Sequence, residues 1–502
     1  MLSRAARDTP TKEALVHGEN RMSFSELDET STRVASFLRL RGVERGMRVA
    51  IYTSKCASEV AVIFAIAKAG AVMVHINPAF RDEQLQHVIE DTEPAALFFH
   101  HNKRAAVERA AARGTLPGLL ICMGAETGQD TSPSAIALHA ALRVSNNGVQ
   151  PAAPRDDDLA AIIYTSGTTA RAKGIKVTHR ILSESTVVSA DVLENVPSDR
   201  LISVTPFSFD GALSQLFTAT LVGATLVLQD SQFPRDVVTT LISEKITGFH
   251  AVPSFWRMML ERYPCFPNGG FPDLRYLSLV GEVFPEDELA RLKQALGNTD
   301  FYMMYGTTEA FRSTCLAPAD FARKPRSVGK PLPGVRIVVL DEDGNPCPAG
   351  KIGEIVHRGA FVSPGYWKRD GGTTFREDGV HTGDLGRLDE EGYLYFVGRK
   401  DTMIKRLGYQ VYPEEIEACL ANIDGVAMAA VVCAPHAGRA PVIRAFIVRG
   451  AGANLTSDAI AKHCRRHLPH YMQPDEIAFR SAMPMTGTCK IDRVELSIAG
   501  TP

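Results

Sequence analysis

The chain has 502 residues, with 55 Lys and Arg against 57 Asp and Glu, a formal net charge of −2. Its 45% hydrophobic and 22% charged residues are the make-up of a globular chain able to bury a large core. The even charge argues against a dedicated nucleic-acid binder and against a polybasic membrane anchor, and the length predicts more than one domain at about 150 residues each.

Residues 1–12 hold Arg4 and Arg7 with no apolar stretch behind them, so no secretory signal is expected. Ser23-Phe-Ser-Glu26 reads as a capping box, in which the Ser hydroxyl and the Glu carboxylate each satisfy a backbone N–H. Leu27, Val34, Phe37 and Leu38 then share one helical face, and Gly42 marks the end. A short strand at 49–52, a buried helix at 58–68, a strand at 71–76, a helix at 82–91 and a strand at 95–99 follow. The longest apolar run, 60–67, is far below the ~20 residues of a membrane span. Such alternation predicts α/β layers with a largely parallel sheet. The run from His100 to Arg104, with Arg109 and Arg113, reads as a solvated helix face.

Residues 145–157 have the composition of a loop, after which strands are expected at 201–204, 225–228, 247–252 and 276–279. From about Val335 the pattern shortens into extended segments with Gly turns, which predicts a small β-rich subdomain. After Gly398-Arg399-Lys400-Asp401 the last hundred residues read as a compact α+β module. The expected division is a domain of residues 1–400 and a second of residues 401–502. Nine cysteines between Cys56 and Cys489 form no C-x-x-C pair, which suits reduced thiols in a cytoplasmic protein without a disulfide framework or zinc site.

The most informative stretch runs from Ala161 to Gly174, where an apolar strand enters a loop of Thr165, Ser166, Gly167, Thr168 and Thr169 with Lys173 near its end. Small residues let backbone N–H groups approach a phosphate, hydroxyls add donors and the lysine adds charge. The stretch is not a Walker loop. Further along, Met304-Tyr305-Gly306-Thr307-Thr308-Glu309 supplies an aromatic platform, hydroxyls and a carboxylate, and His381-Thr-Gly-Asp384 places a carboxylate at a turn suited to ribose hydroxyls. The charged turn Gly398-Arg399-Lys400-Asp401 leads through Lys405 and Gly408 to a helix start, and a final Gly/Thr loop carries Lys490.

Taken in this order, the motifs resemble the adenylate-forming superfamily of acyl-CoA synthetases, peptide-synthetase adenylation domains and luciferases, over residues 14–493. The resemblance implies that the Thr165–Lys173 loop holds the β- and γ-phosphates of ATP, with Lys405 a further nucleotide contact. It implies that Tyr305 stacks beside adenine, Thr308 contacts the α-phosphate and Glu309 holds Mg²⁺, while Asp384 and Arg399 bind the ribose. Asp401 is then the hinge of a mobile carboxy-terminal domain, and Lys490 bridges the substrate carboxylate and the α-phosphate. The fold implied is α/β, a large domain of layered subdomains plus a β-rich one, followed by a small α+β lid. Three positions depart from the family pattern: Ala170 and Ala172 replace its glycine and proline, and Cys489 replaces a glycine before the last lysine. None of these removes a charged group.

The acid and the acceptor are written less plainly. His75-Ile-Asn-Pro78 and Gly408-Tyr-Gln-Val411 resemble the acyl-CoA synthetase branch, with CoA as acceptor. Phe209-Asp210 looks more like amino-acid-activating domains, where such an aspartate pairs with the substrate ammonium, and it would equally suit a free-amine acceptor. Asp210 can also be a plain cap on the helix expected near Gly211. Phe209, Ser214, Gly281, Tyr302, Met303 and Met304 are candidate walls of the acyl pocket, and His179 and His250 read as structural histidines. A nucleotide-binding regulatory protein without catalysis is the remaining alternative.

Overall fold

The computed structural model describes residues 1–124, 135–143, 154–165, 172–262, 270–281, 286–406, 409–434, 442–450, 452–485 and 491–498. Most of the loop expected at 145–157, the loop residues 166–171, Gly408 and Lys490 lie outside the described residues.

Two large sheets organise the first two-thirds of the chain. In the seven-stranded sheet, Arg48–Tyr52 runs parallel between Val72–Ile76 and Ala96–His100. The sheet continues past Val72–Ile76 to Leu159–Thr165, which turns back antiparallel as Lys173–Thr178. In the nine-stranded sheet, Thr225–Leu228, Arg200–Ser203, Gly248–Ala251, Tyr276–Val280 and Asp300–Tyr305 run parallel side by side. Strand Glu13–His17, which has no clear alternation in the sequence, joins this sheet beside Thr225–Leu228, some two hundred residues away.

Helices Phe24–Leu40, Ala57–Ala69 and Asp210–Val222 fill the space between the sheets, and their side chains form one buried cluster with Ile51, Phe98, Leu201 and Leu226. The capping box forms as expected: Ser23 Oγ accepts the Glu26 N–H at 3.2 Å and Glu26 Oε2 accepts the Ser23 N–H at 2.7 Å. Ala57–Ala69 buries nine of its thirteen residues, which is why its sequence is apolar all round rather than on one stripe. Among the described residues no helix is long and apolar enough to cross a membrane.

The β-rich subdomain is present as antiparallel strands Val335–Leu340, Gly353–Gly359, Gly379–Leu388 and Leu394–Arg399, with the short Phe375–Arg376 at its edge. The carboxy-terminal module is a sheet of Val426–Ala434, Val442–Arg449 and Glu476–Arg480. Helices Pro413–Ala421 and Ser457–His467 cover one face through Ile416, Leu420, Ile460 and Cys464, and Leu496 packs on the other beside Phe446.

Candidate active site

The phosphate-loop candidates sit at the tip of a hairpin. Thr165 pairs with Lys173 across the two strands, and residues 166–171 between them are not described. Segment 361–367 stitches this hairpin to the turn after Tyr305. Trp367 donates its N–H to the Gly174 carbonyl at 2.8 Å, Ser363 Oγ donates to the Lys176 carbonyl at 2.7 Å, and the Ser363 N–H reaches the Glu309 carbonyl at 2.9 Å. Lys173 Nζ consequently lies 5.1 Å from the centre of the Tyr366 ring, whose hydroxyl is 3.2 Å from Glu309 Oε1. Glu309 Oε2 has no protein partner among the described residues.

Tyr305 ends its strand buried beneath Phe396 and donates its hydroxyl proton to Asp384 Oδ2 at 2.7 Å. Asp384 and Arg399 are direct cross-strand partners, and Arg399 Nη1 donates to Asp384 Oδ1 at 2.7 Å. Arg399 Nε also reaches Asp401 Oδ1 at 3.1 Å. Burial pushes the Asp384 carboxyl above its ordinary range. Burial also works against the Arg399 charge, but Asp384 and Asp401 outweigh it and hold the guanidinium charged. Thr308 is half-buried in the turn between Tyr305 and Glu309.

Beyond that turn lies a small, partly open pocket of about 20 Å³, in which polar side chains are set among apolar surface. Ser214 and Met304 line it, as expected, together with Gly211, His250, Tyr276 and Arg312. Tyr302 reaches it only indirectly, packing edge-on against Tyr276 with centroids 5.8 Å apart. Met303 points to the opposite face of the sheet and joins the core with Leu279 and Trp256, because neighbouring strand residues alternate sides. Gly281, with φ +91°, turns the chain after Tyr276–Val280.

Asp210 corrects one expectation. The helix begins at Asp210 itself and Phe209 is the N-cap residue, without a side-chain cap bond, so Asp210 is not the cap. Its acidic group stands in the first turn, where the helix dipole favours it. His250, expected as a structural histidine, is buried and hydrogen-bonded, and it also faces the pocket from Gly248–Ala251. Its Nδ1 is 2.9 Å from Ser278 Oγ, and that hydroxyl donates to Met304 Sδ at 3.2 Å. Ser278 can either accept from His250 Nδ1–H or donate to Nδ1, according to the imidazole tautomer. Burial, aided by the Arg312 charge, drops His250 to about 3, so it is neutral. His250, Tyr276, Gln215 and Arg312 were not singled out as pocket residues from the sequence; each is a lone polar residue whose neighbours come from other strands. Among the described residues no three His, Cys, Asp or Glu side chains converge as a metal site.

Two α/β layers, a hydroxyl-rich hairpin beside a Thr-Glu turn, an Asp–Arg pair under a tyrosine and a separate α+β module together define an adenylate-forming protein. The chain belongs to the AMP-binding enzyme family: that family's model matches residues 2–367, and the model of the AMP-binding enzyme C-terminal domain matches residues 415–490. It is 30% identical to an L-proline–[L-prolyl-carrier protein] ligase of Streptomyces coelicolor, over 99% of this chain and 96% of that one. It is 29% identical to part of tyrocidine synthase 3 of Brevibacillus parabrevis, over 97% of this chain and 7% of that protein. The chain thus spans under a tenth of the length of that and other peptide synthetases it matches. Among solved structures, an anthranilate CoA ligase in complex with anthranoyl-AMP superposes with a TM-score of 0.90 at 26% identity, over 99% of this chain and 95% of that chain.

Proposed function

We propose that this chain is an AMP-forming carboxylic acid ligase that works in two half-reactions. In the first, a carboxylate oxygen of the acid attacks the α-phosphorus of ATP, and pyrophosphate leaves with the electron pair of the broken P–O bond. In the second, a thiol or amine attacks the acyl carbon and loses its proton, and AMP leaves. One observation carries this reading: the segment from Tyr305 to Arg312 touches the Asp384–Arg399 pair at one end, the Lys173 hairpin through Tyr366 in its middle, and the pocket at its other end. A nucleotide and an acid held at the two ends would meet at Thr308 and Glu309.

In this reading Thr165, Ser166, Gly167, Thr168, Thr169 and Lys173 hold the β- and γ-phosphates, Thr308 the α-phosphate, and Asp384 with Arg399 the ribose, while Tyr305 backs the adenine and Lys405 adds a nucleotide contact. Glu309 suits Mg²⁺, since one carboxylate oxygen is unclaimed and phosphate and water oxygens complete the shell such an ion prefers. The ion would neutralise phosphate charge as pyrophosphate departs. Lys490 would place an ammonium between the two reacting anions. Residues 1–400 would form the adenylation domain and residues 401–502 a lid turning about Asp401, in a protein of the cytoplasm.

CoA is the favoured acceptor, supported by the likeness to the anthranilate CoA ligase. A carrier-protein thiol or a free amine is the second reading, favoured by Asp210 and by the likeness to the carrier-protein ligase. The test is ATP–pyrophosphate exchange over a panel of aryl, alkyl and amino acids, followed by trapping of the acyl group with CoA or amines. Exchange with at least one acid, lost in Glu309→Gln, is expected. Nucleotide binding without exchange for any acid would make this a binding protein instead.

A further inference from the structure

The turn that follows Glu309 aims a cation into the acyl pocket. Phe311 sits at φ +51°, a left-handed conformation that a bulky residue rarely takes, and the Arg312 N–H closes onto the Ala310 carbonyl at 2.6 Å. Arg312 is 5% exposed and lines the pocket, yet its side chain makes no hydrogen bond or ion pair to any described residue. Among the described lining residues it is the single charged group. Asp210 acts on it electrostatically but stands outside ion-pair distance. His250 is neutral, so it offers Arg312 no countercharge.

A buried guanidinium without a partner is costly, and an apolar acyl chain laid against it would bury it further with nothing in return. The rest of the lining repeats the point. Ser189 Oγ, Asn195 Oδ1, Gln215 Oε1 and Thr218 Oγ1 are buried around the same space without partners among the described residues, so a guest able to hydrogen-bond gains contacts there that a hydrocarbon tail does not. The first turn of Asp210–Val222, whose Gly211 and Ser214 line the pocket, adds backbone N–H groups, with the Asp210 carboxylate beside them.

We propose that Arg312 is a specificity-determining residue that binds a second carboxylate on the acyl substrate, so that the acids activated here are dicarboxylic. This rests on the ligase reading above and names its substrate class. Planar guanidinium and planar carboxylate can pair through two parallel N–H···O bonds, a geometry that a hydroxyl or a carbonyl oxygen does not fill.

The test uses the full chain and length-matched pairs of free acids: hexanoate with adipate, octanoate with suberate, benzoate with isophthalate. ATP–pyrophosphate exchange gives kcat/KM, and calorimetric titration of the same acids in the presence of a non-hydrolysable ATP analogue gives binding. The unsubstituted enzyme is expected to favour the diacid at least tenfold within a pair. R312Q should reduce that ratio at least tenfold, chiefly through KM, and R312K should retain part of it. Equal or better use of the monoacids overturns the proposal, as does an R312Q variant that lowers both members of a pair alike. The preference of the unsubstituted chain decides the matter even if R312Q does not fold. Strong exchange without diacid preference overturns this proposal alone. Arg312-dependent diacid binding without any exchange overturns the ligase reading and keeps this one, and neither binding nor exchange overturns both.

Discussion

Asp384 has both oxygens engaged within the protein, one by the Tyr305 hydroxyl and one by Arg399. If a ribose diol binds there, as proposed, it would meet a carboxylate already oriented, so little side-chain entropy would remain to be lost. Those residues were legible in the sequence because each lies in a compact motif whose chemistry is local. Arg312 and His250 were not, because their meaning depends on neighbours from Asp210–Val222, Tyr276–Val280 and Asp300–Tyr305. Asp210 lies between these cases, and Asp210→Asn separates its possible roles. The fold should survive, since no cap bond is lost; what goes is the favourable charge at the helix start, worth about 0.3–1 kcal/mol, together with its attraction for the Arg312 charge. If Asp210 holds a substrate ammonium, losing that charge-assisted bond costs roughly 1.5–3 kcal/mol, about a 10- to 100-fold fall in amino-acid adenylation with plain acids unchanged. If it serves an amine acceptor, exchange persists and amide formation drops. Wild-type rates in both steps on both substrate classes would leave Asp210 without a part in the chemistry.

At the scale of elements, helix Asp210–Val222 lies so close to Gly248–Ala251 that the choice of residue 211 is forced. A Cβ built on Gly211 would stand 2.6 Å from His250 Nε2, and the ring cannot swing away because Nδ1 is tied to Ser278. Gly211→Ala would gain up to about 1 kcal/mol of helix propensity. Overpacking against a fixed ring costs about 1–3 kcal/mol, and the loss should prevail. A net destabilisation of about 1–2 kcal/mol in denaturant unfolding is expected, with a narrowed pocket; a more stable variant would mean the ring is not fixed. A second contact between elements titrates. Glu414, at the start of Pro413–Ala421, abuts Gly398, and its Oε2 has no hydrogen-bond partner among the described residues. Burial, with Glu417 nearby, pushes it up to about 7 from 4.5. A raised carboxyl binds more protons in the folded state, so its contribution to stability is present below pH 4.5 and lost as pH rises through 7. The full swing is about 3 kcal/mol at 1.36 kcal/mol per unit. Glu414→Gln should flatten the fall in unfolding free energy between pH 5 and 8, and an unchanged slope would assign that fall to other groups.

The whole molecule shows what periodicity can and cannot reveal. Alternation of strand and helix pointed to layered α/β architecture, and the switch to short Gly-turned strands located the β-rich subdomain. The order of the sheets was not legible, because it depends on pairings such as Glu13–His17 with Thr225–Leu228 that no local signal encodes. Whether the carboxy-terminal module turns about Asp401 is decided by a pair of substitutions. Asp401→Pro fixes φ and removes a backbone N–H, so the module would be held in one orientation. It also deletes the carboxylate that braces Arg399 at 3.1 Å, and Asp401→Asn removes that charge while leaving the backbone free. If rotation between two orientations separates adenylation from transfer, the proline variant should retain one half-reaction and lose the other at least a hundredfold, while the asparagine variant changes both only modestly. Lys490→Ala gives the complementary pattern, adenylation lost and transfer from supplied acyl-AMP kept, with a loss of about 3 kcal/mol by analogy with removing a donor at a reacting centre. The measurement is exchange for the first step and release of AMP from synthetic acyl-AMP for the second. A proline variant that performs both steps at wild-type rate would place the pivot elsewhere in the chain. One that fails both, alongside an asparagine variant that does the same, would mean that Asp401 acts through Arg399 and the nucleotide, and not as a hinge.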